Sequence, residues 1–147
     1  MDDQTIEQRR GSLLLTTDRT KIHVDTVLAM LVVSHWGGAM TRPVLERAIR
    51  NSVCFSVFDT STNAQVGVAR AVSDLSTYAY LTDVIVADVA RGQGIGTWMM
   101  EGVVAHPDLQ GLRRIALWTR DARALYEKFG FSTDLPKSTY MELRTWR

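Results

Sequence analysis

The stretch Arg91-Gly92-Gln93-Gly94-Ile95-Gly96-Thr97 joins an apolar extended run to an apolar helical stripe, and its reading decides the fold. Three glycines in five residues let the backbone adopt positive φ and come close to a ligand. The next residues open a helix, so several backbone N–H groups converge there without intrahelical acceptors, and the helix dipole adds partial positive charge. Such a turn is an anion site suited to a pyrophosphate. Arg91 can add a full charge with bidentate hydrogen bonds.

Immediately downstream, Ile95, Trp98, Met99, Gly102, Val103 and His106 recur at i, i+3, i+4, i+7, i+8 and i+11, one stripe of a helix over Gly94 to Ala105 that Pro107 ends. Trp98 therefore reads as core, and His106 as a helix-end residue suited to the dipole. Immediately upstream, Tyr80 to Ala87 is apolar on both faces except at Thr82 and Asp83, the pattern of a central strand. Val53–Phe58 and Gln65–Val72 flank the turn residues 59–63 and read as an antiparallel hairpin.

Leu13–Thr17 reads as a first strand, after a polar, loose segment of residues 1 to about 11. A helix over Val24–Val33 sets Val24, Val27, Leu28 and Leu31 on one face, and Gly37-Gly38 breaks it. Thr41 as cap and Pro43 in the first turn start a second helix, running to about Asn51 and burying Val44, Leu45, Ala48 and Ile49. Beyond the long helix come a strand at Arg114–Trp118, with Trp118 in the core, and a short helix over Ala122–Lys128 closed by Gly130. Phe131–Ser132 and Tyr140–Leu143 complete the strands. Hairpin, strand, helix, strand, helix, strand is an α+β order with a mixed sheet.

At 147 residues the chain suits one compact domain, and with 46% hydrophobic and 22% charged residues it suits a globular one. Seventeen basic against 16 acidic side chains leave a net charge of +1, no global field to draw nucleic acid or an anionic membrane. Cys54 is the sole cysteine, so neither an internal disulfide nor a Cys-based zinc site can form, and its run Val53-Cys54-Phe55 reads as core. No metal is called for. No apolar run approaches the roughly 20 residues that span a bilayer. The start, Met1 to Gln4, is unlike a secretory signal, and a cytoplasmic protein is the simplest reading.

The glycine loop fits neither common nucleotide signature. A Walker loop ends in Gly-Lys-Ser/Thr, whereas Gly94-Ile95-Gly96-Thr97 has no lysine; a dinucleotide fingerprint spaces its glycines Gly-x-Gly-x-x-Gly, whereas here they stand at 92, 94 and 96. The loop resembles the coenzyme A pyrophosphate loop of the GNAT (GCN5-related) N-acetyltransferases, Arg/Gln-x-x-Gly-x-Gly/Ala, matched by Arg91, Gly94 and Gly96. About 30 residues on, Leu125-Tyr126-Glu127-Lys128-Phe129-Gly130-Phe131 resembles that family's second signature. The resemblance covers roughly Val66 to Phe131; the first 60 residues share only the coarse element order.

The resemblance implies a mixed, mostly antiparallel sheet flanked by helices, with a central strand splayed from its neighbour to admit the pantetheine arm. Val84, Ile85 and Val86 would offer backbone groups to that arm, and Arg91, Gly92, Gln93, Gly94, Ile95, Gly96 and Thr97 would hold the pyrophosphate of acetyl-CoA. Tyr126 matches the family tyrosine that protonates the departing thiolate, a role suited to a phenol that keeps its proton at neutral pH. Asp121 stands where many members have an asparagine near the pantetheine; it can alternatively cap the short helix. Some members carry a glutamate base eleven positions before the loop's first basic residue; here that position is Tyr80.

The base is therefore open. Asp83, a carboxylate in an otherwise apolar strand, is a candidate base or amine anchor, weighed against a structural pairing with Arg70. Asp74 is a similar candidate. Ser34-His35-Trp36 lies where GNAT acceptors often bind, which makes His35 and Trp36 candidate acceptor contacts. Acids near the site favour a cationic amine such as a polyamine, an arylalkylamine or a lysine side chain. Members of the family often form homodimers. Two functions compete: N-acetyl transfer to a small-molecule or peptide amine, and a catalytically weak acetyl-CoA-binding module that serves as a sensor or complex subunit.

Overall fold

A computed structural model describes residues 4–34, 37–135 and 140–145. Its sheet has six strands in sequential order: β1 (Glu7–Arg10), β2 (Leu13–Thr16), β3 (Val53–Asp59), β4 (Ala64–Ser73), β5 (Tyr78–Val86) and β6 (Arg114–Leu117). All neighbours are antiparallel except β5 and β6, which run parallel. That single parallel pair requires a crossover, and α3 (Ile95–Ala105) supplies it. The remaining helices are α1 (Val24–Val32), α2 (Arg42–Arg50) and the short α4 (Arg123–Glu127).

Each face of the sheet has its own core. On one side α3 lays Ile95, Trp98, Met99 and Val103 against Phe55, Val57, Ala69, Ala71 and Leu81. On the other, Val27 and Leu31 of α1 and Leu45 and Ile49 of α2 pack on Cys54 and Val68. β3 is therefore apolar on both faces because both faces are covered. Its one buried hydroxyl, Ser56, accepts a hydrogen bond from the Gln65 amide at 3.1 Å, so burying it leaves no polar group without a partner.

The expected α3 stripe is the face that α3 buries. Two glycines set how close it comes. A methyl group at Gly67 of β4 would lie 3.0 Å from Ile95 Cγ2, 3.3 Å from Met99 Sδ and 3.3 Å from Val57 Cβ, and one at Gly102 would lie 3.4 Å from Phe55. His106 ends this stripe fully buried, edge-on to Phe55, and its Nδ1 accepts a hydrogen bond from the Asp108 N–H. Through that bond His106 also caps the following 3-10 turn.

Four expectations need correction. Residues 7–10 form a strand where a loose segment was expected: β1 pairs along β2, and Gln8 and Arg10 fasten it to α3 through Trp98 Nε1 (3.0 Å) and Glu101 (2.7 Å). No strand forms at 131–132 or 140–143; residues 136–139 lie outside the described set. Trp118 is 62% exposed, stacked edge-on with Tyr140, because β6 ends one residue before it. Val44 is 39% exposed, since α2 turns only Leu45 and Ile49 fully inward.

Gly67→Ala should destabilise the fold by about 1–3 kcal/mol, because three packed neighbours must give way. Chemical denaturation would measure it. A neutral result would mean that α3 can lift off the sheet at no cost.

Candidate functional site

The site is built around an irregularity in β5. Val68 pairs with Ile85 and Arg70 with Thr82, so Asp83 and Val84 together stand opposite Ala69 alone. Such a bulge bends the strand and increases its twist. Asp83 takes φ +54°, a region that aspartate enters more easily than most side chains do. On the other side of β5, pairing with β6 stops at Leu81–Leu117, next to the bulge. From Thr82 to Val86 the β6-facing edge of β5 has no ladder partner among the described residues.

The glycine loop lies at the end of that opened edge. Gly92 and Gly94 adopt φ +82° and +76°, conformations that favour glycine, and Gly94 is the N-cap of α3 without a side-chain cap. The N–H groups of Ile95, Gly96 and Thr97 therefore open α3 with no intrahelical acceptor. A methyl group at Gly96 would sit 3.7 Å from Leu125 Cδ2 and 4.0 Å from Val86 Cγ2, which brings α3, α4 and β5 to one point. Arg91 is 68% exposed and bonds loosely to Asp88 (3.1 Å) and the Val86 carbonyl (3.5 Å). Exposed pairs of this kind are worth little and exchange readily for an incoming anion.

α4 carries Tyr126, buried at 7% exposure and edge-on to Phe131 at 5.9 Å. Among the described residues its hydroxyl has no hydrogen-bond partner. Burial, and then the nearby charge of Asp121, push this phenol above its ordinary range. Asp121 itself is exposed. The α4 cap position falls to Ala122, whose N–H donates to Thr119 Oγ1, so capping by Asp121 does not occur.

The chain and its fold have counterparts among known proteins. The model of the acetyltransferase (GNAT) family matches residues 26–131. The chain belongs to the GNAT acetyltransferase family. A Gibberella zeae protein with a provisional acetyltransferase name is 31% identical over 140 residues, spanning 81% of this chain and 78% of that one. A GNAT-family structure from Xanthomonas campestris pv. campestris superposes with a TM-score of 0.86 at 37% identity, covering 90% of this chain and 93% of that one. A Clostridium acetobutylicum acetyltransferase solved with acetyl-CoA shares the fold, with a TM-score of 0.65 at 18% identity over 96% of each chain. GNAT proteins use acetyl-CoA. Among the described residues, no group of three His, Cys, Asp or Glu side chains could hold a metal ion, and no helix is long and apolar enough to cross a membrane.

The carboxylates singled out in the sequence are engaged. Asp83 Oδ2 accepts from Arg70 Nε at 2.9 Å, with the side chains only 5% and 13% exposed. The Arg70 pairing, the structural alternative for Asp83, is the one that forms. Asp74 accepts from the N–H groups of Ser76, Thr77 and Tyr78 and from the Thr77 hydroxyl. The Thr77 side-chain bond and then these backbone bonds hold its carboxyl far below the usual range, so it anchors the turn between β4 and β5. His35 and Trp36 lie outside the described residues. Tyr80 faces the α1–α2 side, opposite Val72, with its phenol raised mainly by burial. Ser52 was not foreseen: its hydroxyl accepts from Arg70 Nη1 at 2.9 Å and completes the hold on that guanidinium. A lone arginine in an apolar strand was the available signal.

Asp83→Asn keeps a residue tolerant of positive φ but leaves Arg70 without its countercharge. It should cost about 3 kcal/mol of stability, read by urea denaturation. Unchanged stability with lost activity would instead mark Asp83 as a base.

Proposed function

We propose that this protein is an N-acetyltransferase that moves an acetyl group from acetyl-CoA to a primary amine by direct attack, with Tyr126 as general acid. The observation that carries this reading is the meeting of the opened β5 edge and the uncapped α3 start, with α4, the helix that carries the buried Tyr126, packed against that start through Leu125. The backbone of Val84 to Val86 offers donors and acceptors to a pantetheine amide chain, and the N–H groups of residues 94–97 with Arg91 suit a pyrophosphate. Acetyl-CoA, when bound, supplies an activated acyl thioester.

The chemistry left to the protein is positioning and proton handling. The amine nitrogen forms the new C–N bond as the C–S bond breaks, and its surplus proton leaves to water. Tyr126 gives its proton to the departing sulfur, so coenzyme A leaves as the thiol and the phenolate regains a proton from solvent. Burial favours the neutral phenol, which is the form this step consumes. Water is the proton acceptor because Asp83 and Asp74 are both committed to structural bonds.

Thiol release from acetyl-CoA over a panel of amines, with a parallel binding titration, tests the reading. Tyr126→Phe should lower kcat by roughly 10²-fold or more while acetyl-CoA affinity stays the same. Since the phenol is shifted upward, the wild-type rate should show no alkaline fall that traces to Tyr126 below about pH 10. Coenzyme binding with no release from any amine would favour the binding-module reading.

Gly96→Asp has ordinary van der Waals room for its Cβ, so the fold should survive. It places a negative charge at the α3 start and should weaken acetyl-CoA binding by about tenfold or more, read by calorimetry. Unchanged affinity would move the pyrophosphate away from this loop.

A further inference from the structure

On the α1–α2 side of the sheet, a cleft of about 320 Å³ opens between α2 and β4, lined by Val44, Arg47, Ser52, Arg70 and Val72 among others. Its charged members are two arginines, and no carboxylate lines it. Arg70 lies at its floor, 13% exposed, with Nε committed to Asp83 and Nη1 to Ser52. A guanidinium has five N–H donors, so Nη2 and part of Nη1 are left over. Among the described residues nothing accepts from them. Arg47 stands at the rim, exposed, and pairs with no carboxylate among the described residues; its neighbour Glu46 is bound to Arg42 instead.

The cleft is also close to the reaction zone. Arg70 pairs across the ladder with Thr82, the residue just before the bulge and just beyond the last β5–β6 pair. With strands about 4.8 Å apart and residues about 3.3 Å apart, the floor of the cleft lies within roughly 5–10 Å of the opened β5 edge. A ligand whose anion rests on the arginines can thus present an amine to that edge across a short spacer. Val44 and Val72 give the spacer apolar walls.

We propose that the acceptor amine carries an anionic group, a carboxylate or a phosphate, which Arg47 and Arg70 bind in the cleft between α2 and β4. This assignment rests on the acetyl-transfer reading and replaces the cationic acceptor expected from the sequence. That expectation counted Asp74 and Asp83 as available charges, whereas both are tied into the scaffold.

The test compares amines matched in size. Short amino acids and phosphoethanolamine supply the two anionic classes; ethanolamine is the neutral control and putrescine the cationic one. Wild-type protein should favour an anionic arm over both controls by about tenfold or more in kcat/KM, and the arm that leads tells carboxylate from phosphate. Arg47→Glu, at an exposed position outside the coenzyme loop, should raise KM for that amine about tenfold with kcat nearly unchanged. Its acetyl-CoA affinity should equal wild type. Preference for ethanolamine or putrescine, or an unchanged KM in Arg47→Glu, would overturn the proposal.

A calorimetric titration of the same amines separates this proposal from the reading beneath it. Anionic amine binding that Arg47→Glu weakens, without thiol release from acetyl-CoA, supports the cleft and sinks the transfer reading. Absence of both binding and release for every anionic amine overturns the cleft itself.

Discussion

The bulge at Asp83 is the constraint on which the rest of the molecule depends. Two residues of β5 stand opposite one of β4, and pairing to β6 ends beside it. Were the ladder to continue, the N–H and C=O groups from Thr82 onward would be satisfied within the sheet and unavailable to any ligand. An aspartate at positive φ is a strained choice, of the order of 1 kcal/mol, and persists only where its surroundings fix it. The ion pair to Arg70, itself held by Ser52, fixes it. A buried pair of this kind adds little net stability, but losing either member is costly, so it acts as a latch on the geometry.

α3 turns this local opening into a site. Gly67 and Gly102 let the helix sit close to the sheet, and that closeness brings its uncapped start to the end of the opened edge. Leu125 of α4 then meets Val86 and Gly96, and Tyr126 follows in the next position of the same short helix. The helix start and the phenol are thus placed by packing on the same core that stabilises the fold.

The glycine loop and the helix after it were legible in the sequence because their signals are local. Only glycine takes the conformations at 92 and 94 at no steric cost, and only a periodic stripe buries α3, so both leave local signatures. What was illegible depends on partners far along the chain. Glu7–Arg10 is exposed at every position, so no alternation betrays a strand; it forms because the β2 edge, Trp98 and Glu101 receive it. The Arg10 guanidinium also lies 4.8 Å from the centre of the Trp98 ring. Trp118 looks like core by composition and is exposed because β6 stops at Leu117. A strand's end is decided by its neighbour's bend, which no window around Trp118 contains.

The proposed acceptor side shows the same limit in its electrostatics. A sequence reports which charges exist but not which remain uncompensated, and only the latter create a field at a site. Asp74 and Asp83 suggest an acidic acceptor face when counted. In the fold, the first holds four hydrogen bonds of a turn and the second is bonded to Arg70 Nε. Arg47, unremarkable on the polar face of a helix, is left at the rim of a cleft whose floor is a guanidinium with donors to spare. The charge left unpaired on this face therefore depends on the pairing of β4 with β5, and that pairing carries the bulge beside which β5–β6 pairing ends. One irregularity in β5 thus links the two halves of the site. It leaves backbone groups without a ladder partner on one side of the strand, and on the other it ties the Asp83 carboxylate to Arg70.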